Sequence, residues 1–178
     1  VAWHYDVAWM PVDLSSVFAT FTSALMKRGA DLPEGHYGDA AMKANVVPCR
    51  NLIFLSVLGG MADNLGCDSV WLAVRAGLYR TYADCQPEFV YYANQTLQTA
   101  TEGRVSLSAP YIAWSKADVL KRGVELGVPY AMTRTCYTDN VIACGRCGTC
   151  QDRLQAFSVC GIDDPIDYAS RALVEKKS

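Results

Sequence analysis

Four cysteines lie close together in the last third of this 178-residue chain, and they are the residues best suited to chemistry. They are spaced C-x7-C-x2-C-x2-C, at Cys136, Cys144, Cys147 and Cys150. Four thiolates complete a tetrahedral shell around Zn²⁺, with metal–sulfur distances of about 2.3 Å. Gly145 and Gly148 allow the tight turns that such a loop needs. The spacing predicts a closed zinc site, which is structural because it leaves no open position for water.

Two other uses of clustered cysteines stay open at this point. An iron–sulfur cluster also takes four thiolates, and clustered cysteines of secreted proteins form disulfides. No apolar signal segment stands at the start of the sequence. The remaining cysteines are scattered, as reduced intracellular thiols are, at Cys49, Cys67, Cys85 and Cys160. Spacing and scatter together favour zinc.

The composition is that of a folded chain with one domain, or one domain with a small appendage. Hydrophobic residues make up 51% and charged residues 19%, which is enough for an apolar core. The formal net charge is −2, and no basic stripe indicates a nucleic-acid surface, so we expect no direct nucleic-acid partner. The absence of a run of about 18 apolar residues predicts no membrane span. We expect a cytoplasmic protein, or a phage-encoded one acting in the host cytoplasm.

Hydrophobic periodicity predicts the elements that must position this loop. Helices are predicted at 51–65, 87–99, 115–127 and 149–160, short helical turns within 14–27, and an exposed loop at 29–44. Buried strands are predicted at 1–12 and 69–74, and an alternating strand at 104–109. Pro87 suits a first helical position, and Ser115 with Asp118 has the capping-box pattern. Phe54, Trp71 and Phe157 are expected in the core. Strands that alternate with helices predict an α/β fold with a mainly parallel sheet and flanking helices.

Several short motifs occur in one order along the chain. They are Val47-Pro48-Cys49-Arg50-Asn51, Tyr82-Ala83-Asp84-Cys85-Gln86-Pro87-Glu88-Phe89, Ser115-Lys116-Ala117-Asp118, Thr135-Cys136-Tyr137 and Cys144-Gly145-Arg146-Cys147-Gly148-Thr149-Cys150-Gln151-Asp152-Arg153. This ordered set resembles the 7-cyano-7-deazaguanine synthases, the QueC family, over about residues 47–165. The cysteine loop alone would not identify a family.

The resemblance implies an adenine-nucleotide α-hydrolase fold of the PP-loop type, which is Rossmann-like. It also implies ATP-dependent conversion of 7-carboxy-7-deazaguanine with ammonia to 7-cyano-7-deazaguanine, through adenylated intermediates, with Mg²⁺ and a structural Zn²⁺. The product serves queuosine synthesis or deazapurine modification of nucleic acids. The implied partners are the deazapurine, ATP, an ammonia source and a second copy of the chain in a homodimer.

The sequence departs from the family pattern in several places. The family's phosphate-binding segment, Ser-Gly-Gly-x-Asp-Ser, does not occur in these residues, so the first βα unit is interpreted as absent. Gly77-Leu78-Tyr79 replaces Gly-Asp-His, while Cys49, Gln86 and Gly148 replace Gly, Arg and Asp. We therefore expect a divergent or N-terminally truncated member, and weak or no activity from this chain alone. The predicted domains are a partial α/β domain at 1–134 and a zinc-binding loop with its helix at 135–178.

Two residues near predicted helix starts are candidate ligands of the substrate or nucleotide. Arg50 follows Pro48 and could hold a phosphate or carboxylate in bidentate fashion, or cap a helix. Asp84 follows a predicted strand, where α/β sheets place ligand groups. The alternative for Asp84 is an N-cap of the helix that begins at Pro87.

Three further charged residues complete the candidate set. Glu88 could contact a substrate amine, or simply favour the helix dipole. Lys116 stands at a helix start, where the dipole does not favour a cation, which suggests a phosphate contact. Arg153 could meet phosphate or pair with an acid on the surface. Two alternative functions stay open: a zinc-stabilised deazapurine- or nucleotide-binding module without catalysis, and an enzyme that ligates a deazapurine to another target.

Overall fold

A computed structural model describes residues 1–26, 31–36, 40–76 and 81–172. Contacts group the chain into two compact units, which are described separately below. Unit 1 comprises Val1–Val47 and Leu120–Ser178, and unit 2 comprises Pro48–Val119. The predicted domains at 1–134 and 135–178 stay a prediction, because contact density does not define which parts fold independently.

The described residues form short helices and two strands. In chain order they are a 3₁₀ helix at Ala2–Tyr5, α1 at Ser15–Phe18, a 3₁₀ helix at Ala40–Asn45, α2 at Arg50–Asn64, β1 at Ser69–Trp71, a 3₁₀ helix at Ala83–Cys85, α3 at Pro87–Ala100, β2 at Ser106–Ser108, α4 at Lys116–Glu125, a 3₁₀ helix at Tyr130–Met132 and α5 at Gly148–Val159. The predicted helices are confirmed to within one or two residues at most of their ends. Helix α4 begins in unit 2 and continues into unit 1.

Unit 2 contains a parallel pair of strands joined through α3. β1 and β2 pair in register, with Val70 opposite Leu107. This arrangement confirms the predicted α/β fold with a parallel sheet and flanking helices. Both strands are shorter than predicted.

The core of unit 2 lies between its helices and one face of the sheet. It is formed by Leu55, Ala62, Val70, Ala93, Val105 and Leu107. Gly59 lets α3 approach α2, because a Cβ there would collide with the side chain of Leu97. Trp71 is 68% exposed and Phe54 lies at the surface, so their predicted core positions are wrong, whereas Phe157 is buried in unit 1. Neighbouring strand residues face opposite sides, and within unit 2 the face that carries Trp71 is uncovered.

Local signals set the ends of two helices. Before α4, the backbone N–H and hydroxyl of Ser115 donate to Asp118 Oδ2, and the N–H of Asp118 donates back to Ser115 Oγ at 3.1 Å, which confirms the capping box. After α4, Gly127 adopts φ +68°. The N–H of Val128 then reaches the carbonyl of Gly123 at 2.8 Å, as in a Schellman motif.

Two predictions near the amino end are wrong. Residues 1–12 are not a buried strand, because Ala2–Tyr5 forms a 3₁₀ helix and Trp3 is 92% exposed. Its backbone bonds close locally, and no strand runs beside it among the described residues. The predicted loop at 29–44 instead contains the 3₁₀ helix Ala40–Asn45, with Met42 buried. Residues 27–30 and 37–39 lie outside the described part of that region.

Within the described ranges, the stretch Ala40–Asn64 is long and apolar enough, by length and composition alone, to cross a membrane. It is not one α-helix, because α2 begins only at Arg50 and its 15 residues span about 22 Å at 1.5 Å per residue. The hydrocarbon core of a bilayer is about 30 Å thick. Leu55 and Ala62 of α2 are buried in unit 2. One face of α2 therefore packs into the core of unit 2, whereas Leu52, Phe54 and Leu58 are exposed.

Candidate functional site

The four predicted metal ligands come together in unit 1. Cys136 and Cys144 lie in the loop before α5, Cys147 caps α5, and Cys150 is in its first turn. Their four Sγ atoms lie within 4.8 Å of one another. Cys144 Sγ and Cys150 Sγ are 3.9 Å apart, and ligands of a tetrahedral Zn²⁺ with 2.3 Å bonds are about 3.8 Å apart. The cluster therefore fits a single metal ion.

Backbone donors surround the sulfur atoms. The N–H of Cys144 points to Cys136 Sγ at 3.3 Å, and the N–H groups of Arg146 and Cys147 point to Cys144 Sγ at 3.4 and 3.3 Å. Such N–H groups favour the thiolate form, which is the form that binds a metal. The loop is thus folded as a site for negatively charged sulfur.

The thiols perturb one another strongly. Interaction with the side chain of Cys150 is the largest cause that lowers the pKa of Cys147, to about 4, whereas interaction with Cys147 and burial raise the pKa of Cys150. Four thiolates this close repel one another unless a cation lies between them. All eight cysteines lie in the described residues and are free thiols, so the structure contains no disulfide among them.

A segment near the amino end covers one side of the cysteine loop. Glu34 and Cys147 form an antiparallel bridge, and the N–H of Gly35 donates to the carbonyl of Arg146 at 3.0 Å. The guanidinium of Arg146 pairs with the carboxylate of Glu34 at 2.8 Å. These contacts link two segments of unit 1 that are more than a hundred residues apart in the chain.

Arg153, a predicted nucleotide contact, lies in a buried ion pair. Its side chain is 4% exposed and that of Asp164 is 1% exposed. Nε and Nη2 donate to the two carboxylate oxygens of Asp164 at 2.6 and 2.8 Å, Nη1 donates to the hydroxyl and carbonyl oxygens of Thr133, and Nη2 also donates to the carbonyl of Tyr130. All five N–H donors are therefore engaged. This geometry favours pairing with an acid, in the interior instead of on the surface, and a nucleotide contact stays a prediction that requires the network to open.

The other four predicted ligands belong to unit 2 and lie at element starts. Arg50 begins α2, Asp84 is in the 3₁₀ turn before α3, Glu88 is in the first turn of α3, and Lys116 begins α4. Because α2 leads into β1, and α3 and α4 follow β1 and β2, these starts lie toward the carboxyl ends of the strands. That edge is where α/β sheets bind ligands, and helix N-termini there favour anions.

Asp84 joins two of these elements. Its Oδ2 accepts the backbone N–H of Asn51 at 3.0 Å, and Asn51 Nδ2 donates to the carbonyl of Asp84 at 2.9 Å and to Cys85 Sγ at 3.4 Å. Asp84 therefore caps α2, and not the helix at Pro87, whose start has no side-chain cap. Asn51 is buried and was missed as a site residue, although it ends one of the quoted motifs.

Charges of both signs surround Cys85 at this edge. Burial and the carboxylate of Asp84 raise the pKa of the Cys85 thiol, while Arg50 and Arg75 oppose that rise. Arg75 was also missed, because an isolated loop arginine carries no sequence signal.

Gln86, where the resemblance expects Arg, is buried, and its Nε2 donates to the carbonyl of Tyr82 at 3.2 Å. The departure at 77–79 lies outside the described residues.

The structure is that of an α/β protein with a parallel sheet, charged side chains at the starts of helices in unit 2, and four cysteines in unit 1 that could hold a metal ion. A sequence model of the family described as queuosine biosynthesis protein QueC matches residues 1–161. The chain belongs to the QueC family, which confirms the resemblance predicted from its motifs.

Relatives from bacteria and archaea carry the same name, 7-cyano-7-deazaguanine synthase. The relative from Caldicellulosiruptor bescii is 42% identical over 163 residues, which are 92% of this chain and 74% of the relative. Relatives from Marinobacter nauticus and Methanoregula boonei are 38% and 39% identical over 157 residues, which are 88% of this chain and 71% and 72% of those proteins.

Proposed function

We propose that this chain acts as a 7-cyano-7-deazaguanine synthase, an ATP-dependent enzyme that forms a carbon–nitrogen bond. The observation that carries the proposal is the 42% identity, over 92% of the chain, to a relative with that name. The substrate is 7-carboxy-7-deazaguanine, and the product feeds queuosine or deazapurine synthesis. The four-cysteine centre supports the proposal, because the motif order that indicated the family includes it.

The proposed chemistry has two activation steps. The substrate carboxylate attacks the α-phosphate of ATP and releases pyrophosphate, and ammonia then attacks the acyl carbon and displaces AMP to give an amide. The amide oxygen attacks the α-phosphate of a second ATP and releases a second pyrophosphate. AMP then leaves with the former amide oxygen, while the nitrogen loses two protons and the C≡N bond forms. Negative charge therefore passes through the site in both steps, which suits helix N-termini and cationic side chains.

Residue roles at the carboxyl edge follow from charge and position. We assign Arg50 and Lys116 to anionic oxygen atoms of the nucleotide or the substrate carboxylate, because each begins a helix at that edge. Asp84 and Glu88 are assigned to the amino group and the ring N–H groups of the deazapurine, since a carboxylate accepts hydrogen bonds from such donors. Arg153 is assigned a structural role, because its donors are engaged.

We propose Zn²⁺ as the ion of the four-cysteine centre, held by Cys136, Cys144, Cys147 and Cys150. Its role is structural, because four protein ligands fill a tetrahedral shell. Mg²⁺ would accompany ATP, and both follow from the family alone. The ammonia source, the homodimer and the cytoplasmic location stay predictions.

The direct test is an assay of the purified chain with 7-carboxy-7-deazaguanine, ATP, MgCl₂ and ammonium, with nitrile, amide and AMP measured by mass spectrometry. We expect nitrile at a low rate from this chain alone, with two AMP formed for each nitrile. Lys116→Met should lower kcat/KM at least about tenfold, since it removes a charge-assisted contact. Lys121→Met is the matched control, because Lys121 is an exposed lysine of the same helix, and it should leave kcat/KM unchanged.

A second candidate is a zinc-stabilised module that binds the deazapurine or a nucleotide without catalysis. The observation that favours it is the set of replacements at Cys49, Gln86 and Gly148, where the family pattern has Gly, Arg and Asp. Calorimetric binding of 7-carboxy-7-deazaguanine, with no AMP, amide or nitrile formed, would favour this module over the enzyme. AMP without either product would instead indicate that the carboxylate is activated for an acceptor other than ammonia, as in ligation of a deazapurine to another target.

A further inference from the structure

Residues 164–172 run along the cysteine loop, and we call them the closing strap. The strap pairs with the loop through hydrogen bonds to the backbone N–H and to the backbone carbonyl of Ala143. The N–H of Ala143 donates to the carbonyl of Asp167 at 3.2 Å, and the N–H of Ala169 donates to the carbonyl of Ala143 at 2.8 Å. Ala143 directly precedes the ligand Cys144, so the strap is bonded to the ligand loop itself.

Two further contacts hold the carboxyl half of the strap against the ligands. Gln151, which follows the ligand Cys150, donates through Nε2 to the carbonyls of Gly145 and Ala172. A Cβ at Gly145 would overlap the backbone carbonyl of Ser170. The loop therefore needs glycine at this position for the strap to lie where it does.

The amino half of the strap is anchored by the buried ion pair. The carboxylate of Asp164 accepts hydrogen bonds from Arg153, and its Oδ2 also accepts a hydrogen bond from the hydroxyl of Tyr168 at 2.7 Å. Arg171 Nη2 donates to the backbone carbonyl of Asp164 at 3.1 Å, and its guanidinium lies 5.3 Å from the ring centre of Tyr168. These bonds close the strap on itself and fix it to α5 through Arg153.

The strap also packs against the cysteine cluster. Ile166 and Tyr168 pack against the cluster that contains Cys147 and Cys150. A thiolate leaves a metal when water, a proton or a competing ligand reaches the bond, so an apolar cover slows metal loss. A cover attached by several hydrogen bonds opens only when those bonds break.

We propose that the closing strap controls how fast the metal leaves the four-cysteine centre, and that Asp164 and Tyr168 are the positioning residues that hold it closed. The proposal rests on the metal centre proposed above. It assigns a role in metal retention to residues that are not ligands, and to the Arg153 pair.

The test compares two tyrosine variants of the Zn²⁺-loaded chain. Tyr168→Phe removes the bond to Asp164 and keeps the aromatic ring. Tyr130→Phe is the matched control, because its hydroxyl donates to the carbonyl of Leu120 in the same unit and not to the strap. Zinc release is followed with an excess of a chromogenic chelator, and unfolding is measured in parallel. We expect Tyr168→Phe to release zinc about tenfold faster, as fits the loss of a hydrogen bond to a charged group, and Tyr130→Phe to release it at the wild-type rate.

A second comparison uses glycine positions with the same backbone strain. Gly145→Ala and Gly161→Ala both place alanine at a positive φ, of +74° and +66°, but only the change at Gly145 meets the strap, because a Cβ at Gly161 meets nothing within 4 Å. We expect faster zinc release from Gly145→Ala only. Hydrogen exchange at residues 164–172 should accelerate in the two strap variants and stay unchanged in both controls.

The possible outcomes separate the two proposals. A wild-type chain that binds no zinc after loading overturns the metal centre and the strap together. A chain that binds zinc, but whose Tyr168→Phe and Gly145→Ala variants release it at the rates of their controls, overturns the strap and leaves the metal centre standing. Faster release from the strap variants at an unchanged unfolding midpoint supports the strap.

Discussion

The interior of unit 2 is apolar, whereas the interior of unit 1 is built around sulfur and charge. Unit 2 buries Leu55, Val70, Val105 and Leu107 between two helices and a parallel sheet. Unit 1 has a small apolar cluster around Leu120, Ala156 and Phe157. Beside that cluster lie the four cysteines and the buried pair of Arg153 and Asp164.

This difference determines what each unit responds to. Burial of apolar surface contributes in many small steps, so loss of one side chain weakens unit 2 without removing the basis of its fold. With the metal centre proposed above, the interior of unit 1 instead depends on one cation and one buried ion pair, and losing either removes its whole contribution at once. Unit 1 should therefore respond to chelators and to acid under conditions where unit 2 does not.

The largest expected effect comes from removal of a metal ligand. Cys147→Ser should lose the metal and destabilise unit 1 by more than about 5 kcal/mol, because the binding of structural zinc is coupled to folding. Hydrogen exchange should accelerate across residues 120–172 and change little across 50–108. Metal content per chain and peptide-resolved exchange measure both effects.

Cys67→Ser is the matched control for that change, because Cys67 is an exposed thiol of unit 2. It should keep the full metal content and the wild-type exchange pattern. Unchanged metal content in Cys147→Ser would remove the four-thiolate centre. Equal acceleration in both units would show that they do not respond separately.

A smaller effect is expected when the buried ion pair is broken. Arg153→Met leaves the carboxylate of Asp164 buried without its partner, which should lower the free energy of unfolding of unit 1 by about 3–5 kcal/mol. The double change Arg153→Met with Asp164→Leu should recover part of that loss, since no charge then stays buried. Denaturant unfolding measures both variants.

The exposed pair of Arg104 and Asp63 in unit 2 provides the comparison for the buried pair. Arg104 donates to Asp63 through Nε at 2.7 Å, but its side chain is more than half exposed. Arg104→Met should therefore change stability far less than Arg153→Met, because solvent screens the pair. Similar losses in the two variants would contradict the distinction drawn between the two interiors.

Acid should weaken unit 1 through the same carboxylate. Burial alone would raise the pKa of Asp164, but hydrogen bonds from Arg153 and Tyr168 lower it below its ordinary value. A carboxyl group with a lowered pKa in the folded state contributes stability that is present above its unfolded pKa of about 3.9 and is lost as pH falls through the folded pKa. Unfolding should be measured against pH with metal content recorded at each point, because protons also compete for thiolates. The Arg153→Met, Asp164→Leu variant should lose this part of the acid response and keep the part that follows metal loss.

The features that sequence predicted correctly are those set by residues near one another in the chain. The cysteine ligands, the capping box at Ser115 and the glycine that ends α4 all depend on spacings of a few residues. Helices α2 and α3 followed from their periodicity and flanking signals. The family followed from the order of several such motifs.

The features that sequence could not predict depend on which residues the folded chain brings together. Asn51 and Asp84 are 33 residues apart in the chain. Their hydrogen bond makes Asp84 a cap of α2, whereas the sequence had suggested that it caps α3. Arg153 meets Asp164 in the interior, where a charge is tolerated only because all its donors are satisfied. Trp71 has the composition of a core residue, but the face of the sheet on which it lies is uncovered within unit 2. Composition indicates that a side chain can be buried and does not indicate which neighbour is available.

The smallest predicted effect concerns the backbone at the start of α2. Cys49 adopts φ +53° and ψ +21°, in the left-handed region, and the family resemblance has glycine at this position. A residue with a Cβ costs about 1–2 kcal/mol more than glycine in that region. Glycine also gains freedom in the unfolded chain, worth about 0.5–1 kcal/mol. Cys49→Gly should therefore stabilise unit 2 by about 0.5–1 kcal/mol, measured by denaturant unfolding.

Cys49→Ala separates the backbone from the thiol, because alanine removes the sulfur and keeps the Cβ that causes the strain. We expect no gain from alanine. An equal gain from alanine and glycine would assign the effect to the exposed thiol instead. The strain lies between Pro48 and Arg50, so a gain from glycine alone would mean that this chain tolerates a less stable start of α2 beside a predicted ligand. It would also show that even the apolar unit carries its unfavourable conformations at the edge where ligands are expected.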